Sequence, residues 1–247
     1  MDVGIILSRK CEQHGLLINE MVRKAGMPYL EVEDYPVHFT DSDLPNKDAY
    51  IALSIHSMVD RPRCICLHAC GNWGGLWYKG DIHLGGTKGM LCAHDPSLFR
   101  YLFLELKGRS ALACIEATHH GPDLSTPIFS LEIGSGPSSW QDPELNSIVF
   151  DVVSSLSAYR PCDGEASLVV GGDHYMGHVE HRLDEGFLTH MCPSSEVHNF
   201  TEGSLYQIME GTSMPVTSAL VSRSAAGRHH DRIVKLLRAR NLKIVEV

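Results

Sequence analysis

The stretch Glu116-Ala117-Thr118-His119-His120-Gly121-Pro122 sets a carboxylate, a hydroxyl and two adjacent imidazoles at the end of the apolar run Ala111-Leu112-Ala113-Cys114-Ile115. Imidazole beside carboxylate ligates metals, or moves protons near neutral pH. Other apolar runs end in the same residue types. His56 closes Tyr50-Ile51-Ala52-Leu53-Ser54-Ile55-His56, and His68 stands just ahead of Cys70-Gly71-Asn72-Trp73-Gly74-Gly75. Glu132 leads into Gly134-Ser135-Gly136, and Gly171-Gly172 runs into Asp173-His174-Tyr175, followed by His178 and His181. Each alone is more often a satisfied core or turn residue. Their recurrence points to one shared site, because a buried carboxylate such as Glu132 costs on the order of 3–5 kcal/mol once its partner is lost.

Zinc takes imidazole and carboxylate ligands, and a catalytic site keeps one position for water, whose pKa falls to about 7. The spacing matches no compact motif such as HExxH, so a metal site here must be assembled from distant segments. The metal-free alternative is a histidine general base, worth ~10²–10⁴ in rate. Neighbours on a strand face opposite ways, so only one of His119 and His120 is expected in a given pocket unless the chain has turned. The loop Gly71–Gly75 offers backbone N–H groups for an oxyanion and an aromatic wall for a stacked adenine, but is no P-loop. Ser222-Arg223-Ser224-Ala225-Ala226-Gly227-Arg228 sets two arginines between a strand and a helix, a fair phosphate site.

The elements that must position these groups follow from periodicity. Strands are expected over residues 3–8, 50–56, 64–70, 111–115, 128–134, 167–172, 216–222 and 242–247. Helices are expected over 13–24, 96–106, 142–159, 203–210 and 227–241. Alternation of the two implies an α/β fold, one domain over residues 1–247 with a central mixed, largely parallel sheet flanked by helices. If the strands are mostly parallel, their carboxyl ends gather at one edge and the histidines and acids converge there. Residues 173–202 read as an excursion over that site.

Composition narrows the class. The chain has 247 residues, enough for one sizeable core, and 43% hydrophobic residues, ordinary for a globular protein. No apolar stretch is long enough for a membrane span, and the start reads as a first strand rather than an export signal, so a cytoplasmic protein is expected. The 8 cysteines are then reduced thiols. None forms a CxxC pair, so buried, inert thiols are expected rather than a cysteine zinc site. Of the 15 histidines, His14, His38, His83, His94, His190 and His198 have no partner pattern and read as surface or locally hydrogen-bonded. The net charge of -9 argues against non-specific nucleic-acid binding by the whole surface, DNA included. Yet Arg223–Val247 carries Arg223, Arg228, Arg232, Lys235, Arg238, Arg240 and Lys243 against Asp231 and Glu246. That segment is either a solvated helix face or a local phosphate-binding one.

Four motifs, Gly71-Asn72-Trp73-Gly74, the Glu116–Pro122 stretch, Leu131-Glu132-Ile133-Gly134-Ser135 and Gly171-Gly172-Asp173-His174-Tyr175, occur in an order that resembles the D-aminoacyl-tRNA deacylases of archaea and plants. The resemblance implies a fold related to phosphorylases and peptidyl-tRNA hydrolase. It implies hydrolysis of the ester joining a D-amino acid to the 3′ end of tRNA, with zinc as cofactor. On that reading Glu116, His119 and His120 are the catalytic candidates. His68, His120, Glu132 and His174 are the candidate metal ligands. Asn72, Trp73, Gly74, Arg223 and Arg228 are the candidate substrate contacts. Three positions depart from the pattern: Ile55 stands for an arginine, Cys70 for a threonine and Asp173 for a glycine. Competing readings are a metal-dependent amidase or peptidase, and a non-catalytic tRNA- or metal-binding protein.

Overall fold

The computed structural model describes residues 1–58, 61, 63–74 and 85–247. Gly75 and His83 lie outside the described residues. The chain opens with β1 (Val3–Ser8), whose last residue caps α1 (Arg9–Gln13) by accepting from the Cys11 amide. The helix expected over 13–24 is interrupted at Gly15, where φ is +96°, and resumes as α2 (Ile18–Lys24). β2 (Leu30–Val32) is too short to leave a periodic signal. Then come β3 (Ala49–His56), β4 (Cys64–Ala69) and α3 (Pro96–Arg109), which begins with Pro at its first turn behind the Asp95 cap.

β5 (Ala113–Ile115), β6 (Ile128–Gly134), α4 (Pro137–Trp140) and α5 (Pro143–Ser155) follow, α5 capped by Asp142. The last third holds β7 (Ala166–Val170), α6 (Arg182–Glu185), β8 (Phe187–Cys192) and α7 (Glu202–Gly211). It ends with β9 (Val216–Val221), α8 (Arg223–Ala226), α9 (His230–Ala239) and β10 (Lys243–Glu246). Residues 173–202 are therefore only partly an excursion, since β8 is a buried strand within them.

The strands form a mixed six-stranded sheet, β2-β1-β3-β6-β4-β5, and a parallel four-stranded sheet, β10-β9-β7-β8. The α/β class and the mixed, largely parallel sheet agree with the sequence reading; the second sheet was not foreseen. In the first sheet β4 runs antiparallel to β6 and parallel to β5. The carboxyl ends of β4 and β5 therefore lie at the opposite edge from those of β3 and β6. One rim cannot collect all the polar groups. The register does so instead: Ser54, Glu132, Cys66 and Cys114 are lateral neighbours, as are His56, Gly134 and Cys64, and as are His68 and Ser130. Side chains two apart share a face, so His56, Glu132, His68 and the three cysteines stand on the same side of the sheet.

The intervening residues Leu53, Ile65, Leu67, Ile115, Phe129, Leu131 and Ile133 face the other way into the main core, against α3 and α5. This is why Cys64-Ile65-Cys66-Leu67-His68-Ala69 alternates: one face is for packing and the other for chemistry. Phe129 is fully buried, its ring 5.1 Å from His94 and 5.4 Å from Phe99. His94 and His190, expected to be at the surface or locally hydrogen-bonded, are buried at 0% and 1% exposure, and His190 is hydrogen-bonded to the Cys92 carbonyl and Thr118. Burial pushes His94 well below the ordinary imidazole range and His190 down to about 4, so both are neutral packing groups. Phe129→Ala should lower the unfolding free energy by about 3–5 kcal/mol in urea titrations, since the surrounding core closes only partly on the void. An unchanged midpoint would show that this face is not the packed one.

Candidate functional site

The segment after β5 carries the histidine pair and wedges between the two sheets. Ala117 donates its amide to the His174 carbonyl and Met176 donates to Ile115, so residues 174–176 run alongside the segment. Thr118 donates to Met191 of β8, and Gly71 donates to His120. The segment thus brings the end of β4, the turn after β7 and the polar face of the first sheet together. At His120 φ is +44°, a left-handed turn that few non-glycine residues adopt. The turn removes the alternation expected for adjacent residues. The His119 ring lies 4.1 Å from His68, and the His120 ring 4.6 Å from it.

Each of these three imidazoles is oriented by a backbone carbonyl. Nδ1 donates to Ala69 at 3.1 Å in His68, to Ala117 at 2.7 Å in His119 and to Gly121 at 2.7 Å in His120. This leaves Nε2 as the lone-pair nitrogen in all three, the arrangement by which metal-ligating histidines are usually held. His68, His119 and His120 each offer a ligand atom within 4.8 Å of the others.

Two carboxylates complete the site. Glu132, 5% exposed, accepts from Ser130 Oγ at 2.9 Å and lies 3.5 Å from His68 Nε2 and 3.7 Å from His120 Nε2. Glu116, 1% exposed, accepts from His174 Nε2 at 3.1 Å. Between them sits His56, with Nδ1 3.2 Å from Glu116 Oε1 and 3.4 Å from Glu132 Oε2, and Nε2 2.8 Å from the Tyr175 hydroxyl. His56 was read among the strand-end residues of one shared site, and Tyr175 within the Gly171–Tyr175 motif, but neither was assigned a catalytic, metal or substrate role.

The charge states follow from these contacts. Burial alone would drive the His56 proton off, but the hydrogen bond to Glu132 and the charge of Glu116 outweigh it and raise its pKa to about 9. Burial opposes ionisation of Glu132, yet the adjacent imidazoles of His120, His56 and His68 hold it well below the usual carboxylate range. Glu116 is likewise lowered against burial, chiefly by His174 and His56. His119 goes the other way: burial and the neighbouring imidazoles keep it neutral. His120 is raised, Glu132 outweighing burial.

A metal fits the donor set on an observation independent of spacing. Among the described residues, His68 Nε2 and Glu116 Oε2 are buried without a hydrogen-bond partner. Leaving such atoms unmet is costly, and a cation would meet the His68 nitrogen. Of the four expected ligands, His68 and His120 share one candidate group with His119; Glu132 groups with His68 and Glu116; His174 groups with Glu116 and His56.

The substrate candidates fare differently. The Trp73 indole is 4% exposed, donates to the Thr118 carbonyl at 2.9 Å and packs against Phe200, so the expected aromatic wall for stacking is instead a core ring. The amides of Gly71, Asn72 and Gly74 already have acceptors in His120, Met90 and the Asn72 side chain, which removes them as a ready oxyanion hole. Arg223 and Arg228 are exposed beyond β9, next to the turn after β7, and Arg223 pairs with Glu246 at 3.3 Å. Ile55 is part of the apolar packing and Asp173 is exposed, whereas Cys70 is buried with its backbone paired to His119. The cysteines are less scattered than their spacing suggested, because Cys66 and Cys114 are register partners with Sγ atoms 3.0 Å apart.

Buried imidazoles and carboxylates with open valences, set on an α/β frame, define an enzyme that activates water against a polar bond. A family model described as D-aminoacyl-tRNA deacylase matches residues 44–245. A protein of Ignicoccus hospitalis named D-aminoacyl-tRNA deacylase is 30% identical over 234 residues, 91% of this chain and 91% of its own length. A protein of the same name from Metallosphaera sedula is 24% identical and covers 99% of both chains. The solved structure of a conserved protein of unknown function superposes with a TM-score of 0.86 over 99% of this chain and 95% of its own, at 17% identity, and shares the fold. The chain belongs to the D-aminoacyl-tRNA deacylase family.

The raised pKa of His56 makes a stability statement. A group whose folded pKa, about 9, exceeds its ordinary 6.5 stabilises fully below pH 6.5 and loses that contribution as pH rises through 9. In metal-free protein, the stability lost between these two pH values should be larger in wild type than in His56→Gln by on the order of a few kcal/mol. Urea midpoints at the two pH values measure it; equal losses would mean that His56 is not a clamped imidazolium.

Proposed function

We propose that this chain hydrolyses the ester between a D-amino acid and the 3′ end of tRNA, at the cluster formed by His68, His119, His120, Glu116 and Glu132. The observation that carries the reading is the grouping of His68, His119 and His120, with the Nε2 atoms of His68 and His120 3.5 and 3.7 Å from buried Glu132 and with Glu116 Oε2 left unmatched. His68, His119 and His120 would hold a zinc ion, which supplies Lewis acidity toward the ester carbonyl. Glu116 is the base: its Oε1 is fixed by His174 and His56, and its Oε2 is the acceptor for a proton of the attacking water. His56 and Tyr175 are positioning residues, since they hold Glu116 and Glu132 apart and ionised without reaching the ester. An aminoacyl ester is already activated, so this equipment is sufficient. Selection of the D form then rests on walls that an L side chain meets.

Recognition of tRNA would fall to the basic C-terminal segment, though to fewer residues than its sequence offers. Arg232 donates to the carbonyls of Phe200 and Val197, Arg240 pairs with Glu202 and Arg223 with Glu246. Arg228, Lys235, Arg238 and Lys243 are exposed and suited to phosphates.

Rates on D-tyrosyl-tRNA and L-tyrosyl-tRNA test the reading. Wild type should favour the D ester, and Glu116→Gln should lose about 10²–10⁴ in kcat while keeping its circular dichroism spectrum. Equal rates on both esters would overturn the substrate; a fully active Glu116→Gln would overturn the base. Chelation should abolish turnover and added Zn²⁺ restore it; turnover by protein verified free of metal would remove the ion from the scheme. Arg228→Ala with Lys235→Ala should weaken tRNA binding and reduce its salt slope by about 1–2. The same pair should leave hydrolysis at saturating substrate unchanged.

A further inference from the structure

Beside the imidazole–carboxylate cluster, on the same face of the first sheet, lies a second group of donors with different chemistry. Cys64 and Cys66 are two residues apart on β4, and Cys114 is the register partner of Cys66 on β5. Their sulfurs converge: Cys66 lies 3.0 Å from Cys114 and 3.4 Å from Cys64. Even carbon atoms in contact pack at about 3.5–4.0 Å, and sulfur is larger. All three side chains are buried, at 1%, 0% and 1% exposure. Three thiols closer than packing requires, shielded from water, form a donor set rather than a lining. The Arg61 guanidinium lies 4.5 Å from the centre of the Tyr175 ring, which packs against the three cysteines.

We propose that Cys64, Cys66 and Cys114 form a thiolate site for a soft, closed-shell metal cation, separate from the imidazole–carboxylate cluster. Thiolate donors select Zn²⁺ or Cu⁺, whereas the neighbouring nitrogen and oxygen donors favour harder or borderline ions. Binding releases the thiol protons to solvent and places one cation among three sulfurs. The excess negative charge is met by Arg61. His56 has a nitrogen within 4.8 Å of the Cys64 and Cys66 sulfurs. Its nitrogens already serve Glu116, Glu132 and Tyr175, so the site is sulfur-only. The proposal does not depend on the deacylase reading, because it concerns metal ligation and not turnover.

X-ray absorption decides it. Fully reduced, metal-free full-length protein is saturated anaerobically with Zn²⁺ in one arm and with Cu⁺ in the other. The metal edge should then show sulfur neighbours at about 2.3 Å. A sulfur shell with zinc identifies a divalent site and with copper a monovalent one; nitrogen and oxygen neighbours alone in both arms would overturn the proposal. In Cys66→Ser and Cys114→Ser the sulfur shell should shrink and affinity for that ion fall by about tenfold or more. His119→Ala should keep the sulfur shell intact. A sulfur shell unchanged in both serine variants would place the ion elsewhere and also overturn the proposal. Because the wild-type spectrum is read first, a variant that fails to fold does not shelter the idea.

Discussion

The site depends on one imidazolium held between two buried carboxylates. Glu116 and Glu132 are both nearly inaccessible to water, and neither could stay ionised there alone. His56 answers both with one nitrogen and is itself anchored through the other to Tyr175. That clamp keeps two negative charges a fixed distance apart on the face where His68, His119 and His120 point their free nitrogens. Remove the cation and the carboxylates take up protons or move; keep it and both stay ionised beside the imidazoles.

The frame that permits this is the reversed direction of β4. Were β4 parallel to β6, its histidine would stand at a strand end with the others. Running antiparallel, it lays Cys66 opposite Glu132 and His68 opposite Ser130, so the chemistry occupies the middle of a sheet face. A sheet face is a firmer mount than a ring of loops, since each side chain is fixed by two neighbouring strands. The loops add what the face lacks. The Glu116–Pro122 segment contributes the histidine pair through a left-handed turn, and the turn after β7 contributes His174 and Tyr175. The second sheet has the same role at larger scale: its β7 delivers that turn, and its β8 accepts the backbone of Thr118.

Much of this was legible in the residues. The alternation in Cys64–Ala69 marked a strand with one apolar face, and Pro96 and the Asp142-Pro143 pair marked where α3 and α5 begin. Glu132 could be singled out because a carboxylate in an apolar strand needs a partner. Other parts were hidden for physical reasons. β2 has three residues and β8 hides within a polar stretch, so neither leaves a usable period. For His94 and His190 the choice between a surface and a hydrogen-bonded place stayed open, because sequence does not show that Thr118 and Cys92 wait to bond His190. Trp73 looked available for stacking until Thr118 and Phe200 enclosed it.

By itself, the sequence determined the residue chemistry: where the longer strands and helices run, which of them carry imidazoles, acids and thiols, and that these groups are too many and too apolar in their surroundings to be incidental. Such properties are local, set by side-chain type and by periods of a few residues. Only the tertiary structure decided which groups meet. Strand direction, register and the turn at His120 are settled by contacts between segments far apart in the chain, and those contacts place His56 between two carboxylates and three cysteines side by side.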